Sequence, residues 1–174
     1  MTTDSLTMTA PSTTEVEKPR PIKKICFILS KSNMASVYGA MVMANGARME
    51  GIEAELFFTF FGLDAINLKK MNSIHEPTLG NASMPMPAMI AGLPGMEAFV
   101  TSQMKKEMEK LDLPPVDEFM EMIHLSGGKF FACHLAMEMF KLKEEDVVDY
   151  LDGILTIGEF YERAAGEGTH IIFI

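Results

Sequence analysis

Two short apolar segments flank a long helical one near the start of this chain, and that arrangement limits the fold more than any other feature. Lys23 to Leu29 (KKICFIL) is apolar on both faces, as a central parallel strand covered on each side must be. Ser30-Lys31-Ser32-Asn33 turns the chain into a helix of roughly Met34 to Met49. Its run MASVYGAMVMANGARM carries few charges, so it must be buried, against the sheet, with another subunit as a further surface it could pack on. Gly51 ends it, and Glu53 to Phe60 (EAELFFTF) supplies a second strand. Strand, helix and strand within about forty residues is the βαβ unit, whose crossover is right-handed.

The rest of the chain continues the alternation. Phe61-Gly62-Leu63-Asp64 leads into a short helix that fades near Lys70. A Met/Pro-rich insertion follows, at about 71–96, and Met71 to Met122 holds nine of the seventeen methionines. Met96, Phe99, Val100, Gln103, Met104, Met108 and Leu111 then keep helical spacing opposite Lys105, Lys106, Glu109 and Lys110. Val116, Phe119, Met120 and Ile123 mark a further helix, with Asp117 and Glu118 in its first turn, where acids suit the dipole. Lys129 to Ala132 is a third strand that runs straight into a helix from His134. Glu144 to Leu151 reads as helical and Ile154-Leu155 as a short strand. The Thr156-x-x-Glu159 capping box starts a helix from about Ile157 to Ala165, and His170 to Ile174 is a final strand. About five strands with interleaved helices define an α/β layer fold with a mostly parallel sheet.

In such sheets ligands sit at the carboxyl edge of the strands. Ser30–Asn33, the Phe61-Gly62 turn and Cys133 all follow strands, so all three belong on that edge. Cys133 is placed at the first turn of a helix, where free backbone N–H groups and the dipole favour the thiolate. A thiol held there suits a nucleophile or a sulfur carrier, although the same position also suits a small buried hydrophobe. Cys26, mid-strand, reads as core. His134 adjoins Cys133 and could raise the thiolate fraction of its neighbour at the binding site, but neighbouring side chains on a helix diverge by about 100°, which leaves it a minor role. His75, His124 and His170 are scattered and default to surface or satisfied core positions.

Composition removes several function classes. A net charge of −9 in 174 residues, with a pI near 4.9, argues against nucleic acid, which needs clustered cations. Two cysteines with no C-x-x-C pair give neither a disulfide framework nor a zinc pattern, and suit the reducing cytoplasm. The methionines suit a soft-metal site less well than adaptable core filling or a pliable contact surface. Residues 1–21 read as a disordered tail without a secretory core. Pro77 to Met96 has the length of a membrane span, yet its prolines and glycines would break any helix in lipid. It is expected to be an ordered or semi-ordered loop, with membrane or partner contact as the lesser reading.

The Lys-Lys-apolar first strand ending in Ser30-Lys31, the Ala/Gly-rich helix closing with Ala44-Asn45-Gly46-Ala47 and the FFTFFGL run at Phe57–Leu63 occur in that order. The Met/Pro-rich insertion and FFACHLAMEMFKL, followed by Glu144-Glu145-Asp146, complete the set. From Lys23 onward the sequence resembles the DsrE/DsrF/DsrH-like proteins, especially the branch often labelled peroxiredoxin-family. That resemblance implies a flavodoxin-like fold and a cytoplasmic, usually oligomeric sulfur carrier without a cofactor. It holds sulfane sulfur on the cysteine matching Cys133 and exchanges it with rhodanese-like and TusA-like proteins. No other catalytic role is carried across: Ser30, Lys31 and Gly62, in the matching loops, are at best substrate-pocket walls, and Lys31 could hold an anionic sulfur species or simply be solvated. No peroxidatic motif accompanies the label.

Two other classes compete. In one, the protein is a non-enzymatic partner or membrane adaptor that docks through the Met/Pro-rich loop, with Cys133 structural. In the other it binds a nucleotide or flavin, which the lack of a Gly-rich phosphate loop after the first strand disfavours.

Overall fold

The computed structural model describes residues 21–81 and 87–174. The expected tail therefore lies outside the described residues except for Pro21, and so do Met84, Pro85 and Met86. Five strands, β1 (Lys24–Leu29), β2 (Glu53–Phe58), β3 (Lys129–Cys133), β4 (Gly153–Leu155) and β5 (Thr169–Phe173), form one all-parallel sheet in the order β4-β3-β2-β1-β5.

Helix α1 (Met34–Met49) connects β1 to β2 and buries Met34, Val37, Met41 and Ala44, the stripe that a 3.6-residue period brings to one face. Gly51 closes it in the left-handed region at φ 74°, where the Ile52 N–H donates back to the Ala47 carbonyl. Helix α4 (Val116–Leu125) packs beside α1 through Val116, Phe119, Met120 and Ile123. These two helices and the sheet residues Phe27, Leu56, Phe58 and Phe130 enclose the main core.

The return from β4 to β5 runs against the direction of all earlier crossovers, so right-handedness sends its helix to the opposite face. Helix α6 (Ile157–Ala164) lies there: Phe160 stacks on Phe57 with ring centroids 4.6 Å apart, and the Arg163 guanidinium sits 4.3 Å above the Phe131 ring. Arg163 also pairs with Glu55 at 2.7 Å, and Lys24 reaches the same Glu55 oxygen at 2.9 Å.

Several elements differ in detail from expectation. Strand β2 stops at Phe58: the Thr59 N–H still completes the ladder by donating to the Leu29 carbonyl, but Phe60 turns to φ 45° to enter a 3-10 helix, Phe60–Ala65. The helix expected over Glu144–Leu151 is only a 3-10 turn, Glu144–Asp146. Buried Val147 leaves it in extended conformation to bridge Asn67, and the Val148 N–H donates to the Ile66 carbonyl. The helix α3 (Met96–Lys110) forms as its spacing predicts, yet the one residue it buries is Thr101, so its apolar stripe is only half covered. In the insertion, Met71–Ser73 is a 3-10 turn and α2 (Ala88–Ala91) a single turn of helix. The helix after β3 is the short α5 (His134–Phe140).

Candidate functional site

Ser30, Gly62 and Cys133 follow adjacent parallel strands and lie on the carboxyl edge, as expected. Cys133 is the last residue of β3, in register with Leu155, and it caps α5 in extended conformation at φ −76° and ψ 118°. Strand alternation places it on the same face as Phe131, the α6 side. It is 2% exposed, and its sulfur has no hydrogen-bond partner among the described residues. His134 opens α5 with its side chain about half exposed, and Nδ1 lies 3.8 Å from the Glu138 carboxylate one turn on. Nearby, the Thr156 N–H and hydroxyl bonds hold the Glu159 carboxyl below the ordinary range.

The other expected residues do structural work. The Ser30 N–H and hydroxyl both donate to the Ile174 carbonyl at 2.9 Å, tying the ends of β1 and β5. Gly62 lies so close to β1 that a Cβ there would meet the Leu29 carbonyl oxygen at 2.0 Å. Ser30 and Gly62 thus come together at one strand end, and neither hydrogen-bonds Cys133. Lys31 is exposed. Cys26 is fully buried, and burial chiefly pushes its thiol pKa up. It sits two strands and several residues from Cys133, about 16 Å by sheet geometry, too far for a disulfide.

Sequence reasoning missed Glu76, which the burial of a charge in a Pro/Gly-rich loop does not advertise. Its carboxylate is 5% exposed and accepts from the Ala35 N–H at 3.0 Å and from Asn33 Nδ2 at 3.4 Å, while Asn81 Nδ2 holds the other oxygen at 3.1 Å. It therefore occupies the N-terminus of α1, the anion position that a phosphate takes in nucleotide-binding sheets. That contact weighs against the nucleotide and flavin class more directly than the missing glycines do.

Among the described residues, neither of two clefts that flank α1 and the segment after β2 is lined by Cys133. One, of about 330 Å³, lies between Met34, Tyr38, Met71, Met108 and Val116. The other, of about 440 Å³, opens around Ser32, Asn33, Lys70 and His75. Among the described residues no three His, Cys, Asp or Glu side chains converge as a metal site, and no helix is long and apolar enough to cross a membrane.

A parallel α/β layer protein with a buried cysteine where its third strand meets a helix is the class these features define. The chain belongs to the DsrE/DsrF/DrsH-like family, whose model matches residues 21–172. It is 30% identical to the sulfur carrier protein DsrE2 of Allochromatium vinosum over 162 residues, covering 87% of this chain and 98% of that protein. The uncharacterized protein YrkE of Bacillus subtilis is 26% identical over 159 residues, 87% of this chain and 97% of its own length. A solved protein of unknown function from Methanobacterium thermoautotrophicum aligns with TM-score 0.49 at 13% identity, over 87% of this chain and 98% of its own.

Proposed function

We propose that this protein is a cytoplasmic sulfur carrier that holds sulfane sulfur on Cys133 and relays it to thiols of TusA-like and rhodanese-like partners. The observation that carries the reading is the near full-length similarity to a protein named as a sulfur carrier. The position of Cys133, at a strand end on the carboxyl edge, supports it. In the loading step the Cys133 thiolate attacks the outer sulfur of a persulfide, forming a new S–S bond as the donor's S–S bond breaks and its thiolate departs. With thiosulfate the leaving group is sulfite. Delivery reverses the roles: a partner thiolate takes the outer sulfur and Cys133 leaves as thiolate, so no external oxidant or reductant is consumed. The burial of Cys133 requires the edge to open for each transfer and protects the adduct in between.

Intact mass spectrometry of the unreduced protein after incubation with polysulfide or thiosulfate tests this. A reducible gain of sulfur is expected in the parent and in Cys26→Ala, and none in Cys133→Ser or Cys133→Ala. A parent that gains nothing while Cys133 still reacts with an alkylating agent would overturn the reading.

The adaptor reading retains one specific observation. Met89 is 85% exposed and Leu79, Leu93 and Phe99 are more than half exposed, all in or next to the uncharged stretch between Glu76 and Glu97. Deleting 84–96 should abolish partner capture and leave sulfur loading intact if that loop is a docking element.

A further inference from the structure

Helix α3 buries only Thr101 completely, and Met108 on its half-covered stripe lines the cleft of about 330 Å³ that α1, α4 and the 3-10 turn Met71–Ser73 complete. That is the small end of the range for ligand pockets, room for one compact molecule. The inner surface is apolar and rich in sulfur. Met34 and Met71 are 1 and 4% exposed, Met108 is partly buried, and Ile74 and Val116 lie beside them. Unbranched thioether side chains adapt to the shape of an occupant, and their sulfur makes favourable contacts with the edge of an aromatic ring. Tyr38 adds a ring to the wall, held by its hydroxyl, which donates to the Pro114 carbonyl at 3.1 Å.

The rim is polar, and part of it is already bonded. Lys105 Nζ of α3 donates to the Asn72 carbonyl at 3.2 Å, and Asn72 Nδ2 donates to an Asp117 oxygen of α4 at 2.9 Å, so two bonds tie three elements together. The other Asp117 oxygen accepts from the Glu118 N–H at 3.0 Å. Glu109 and Glu118 also line the cleft, and neither carboxylate has an ion pair or hydrogen bond among the described residues. Lys106 and Lys110, the other lysines of α3, do not line it. Three carboxylates, Glu109, Asp117 and Glu118, against the one ammonium of Lys105 leave the mouth with a formal charge of −2.

We propose that this cleft binds a compact aromatic cation, an arylalkyl ammonium whose ring lies among the three thioethers and whose ammonium group meets Glu109 and Glu118 at the rim. Size, sulfur and charge each select against a different rival. A long chain exceeds the volume, and a purely aliphatic body forgoes the contacts between sulfur and ring. Anions, thiosulfate among them, are repelled by the net charge of the mouth. The inference goes beyond the sulfur-carrier reading: Cys133 is absent from the lining, so this ligand and the carried sulfur occupy separate places.

Titration of the full chain, carrying carbon-13 in its methionine methyl groups, with 2-phenylethylamine at neutral pH tests the proposal. The methyl signals of Met34, Met71 and Met108, assigned through single Met→Leu variants, should shift together and saturate, while those of Met49 and Met89, 80 and 85% exposed, stay in place. The neutral isostere 2-phenylethanol should bind about threefold more weakly and phenylacetate more weakly still, because an exposed ion pair is worth little. Glu109→Gln combined with Glu118→Gln should weaken the amine to the level of the alcohol and leave the alcohol unchanged. The absence of a saturable shift, equal shifts at Met49 and Met89, an alcohol or acid bound as tightly as the amine, or a rim variant that binds the amine like the parent would each overturn the proposal. Cys133→Ser should bind the amine as the parent does. A Cys133 that takes no sulfur would sink the carrier reading and leave this site standing.

Discussion

Three charged residues on the α6 side show how much a single position can matter. Glu55 is 5% exposed in mid-sheet, and it is tolerated because Lys24 and both donors of Arg163 surround it, at 2.9, 2.7 and 3.4 Å. Glu55→Ala leaves two cations without their partner and should cost about 3–5 kcal/mol in denaturant unfolding, whereas Glu55→Met with Lys24→Met and Arg163→Met should recover much of it. Gly62→Ala drives a methyl group into the Leu29 carbonyl and should cost about 3 kcal/mol, measured the same way. Neither position was legible as structural in the sequence. Glu55 sits in an alternating strand where an acid signals solvent, and Gly62 reads as an ordinary turn glycine. The position of Cys133 was legible because a strand-to-helix junction leaves a strong periodicity mark on both sides, and its burial was one of the two readings that junction allowed.

Among the elements, α1, α4, α6 and the five strands follow from local pattern, and the departures have a common cause. Glu144–Leu151 has helical composition, but Val147 and Val148 are worth more in the core than in another helical turn, so the chain extends there and only Glu144–Asp146 curls. Helix α1 lacks a side-chain cap of its own at Asn33 and borrows one from Glu76, forty-one positions after Ala35. Glu76→Ala should lower stability by about 1–2 kcal/mol, as loss of an N-cap does. Helix α6 caps itself, with the Glu159 carboxylate accepting from the Thr156 N–H at 2.7 Å. That bond holds Glu159 below its ordinary value of 4.5, and the Lys143 N–H, with Lys69 behind it, does the same for Asp146 from 3.8. A lowered folded-state pKa means stability that is present above the ordinary value and lost as pH falls through the folded one. Unfolding free energy should therefore decline as the solution is taken below about pH 4.5, less steeply in Glu159→Gln with Asp146→Asn.

On the scale of the whole molecule, the sheet is built asymmetrically, with α1 and α4 over one face and α6 over the other. Alkaline conditions probe the thick side. Burial, with Glu121 and Asp117 behind it, pushes the Tyr150 phenol up to about 12. Between the ordinary value of 10 and that figure the unfolded chain releases a proton that the folded one keeps, so stability should fall across that window and Tyr150→Phe should flatten the fall. The strand order β4-β3-β2-β1-β5 also governs how the molecule comes into being. The first strand made is central, yet one of its two neighbours is the last, and Ser30 waits for a carbonyl 144 positions downstream. A ribosome can release β1 to β4 as a growing half-finished sheet, but β1 keeps a raw edge until β5 emerges. The interval of greatest risk for this chain is the one between completion of β1 and emergence of β5, when an unpaired edge of Cys26, Phe27 and Ile28 is open to any other strand in the cell.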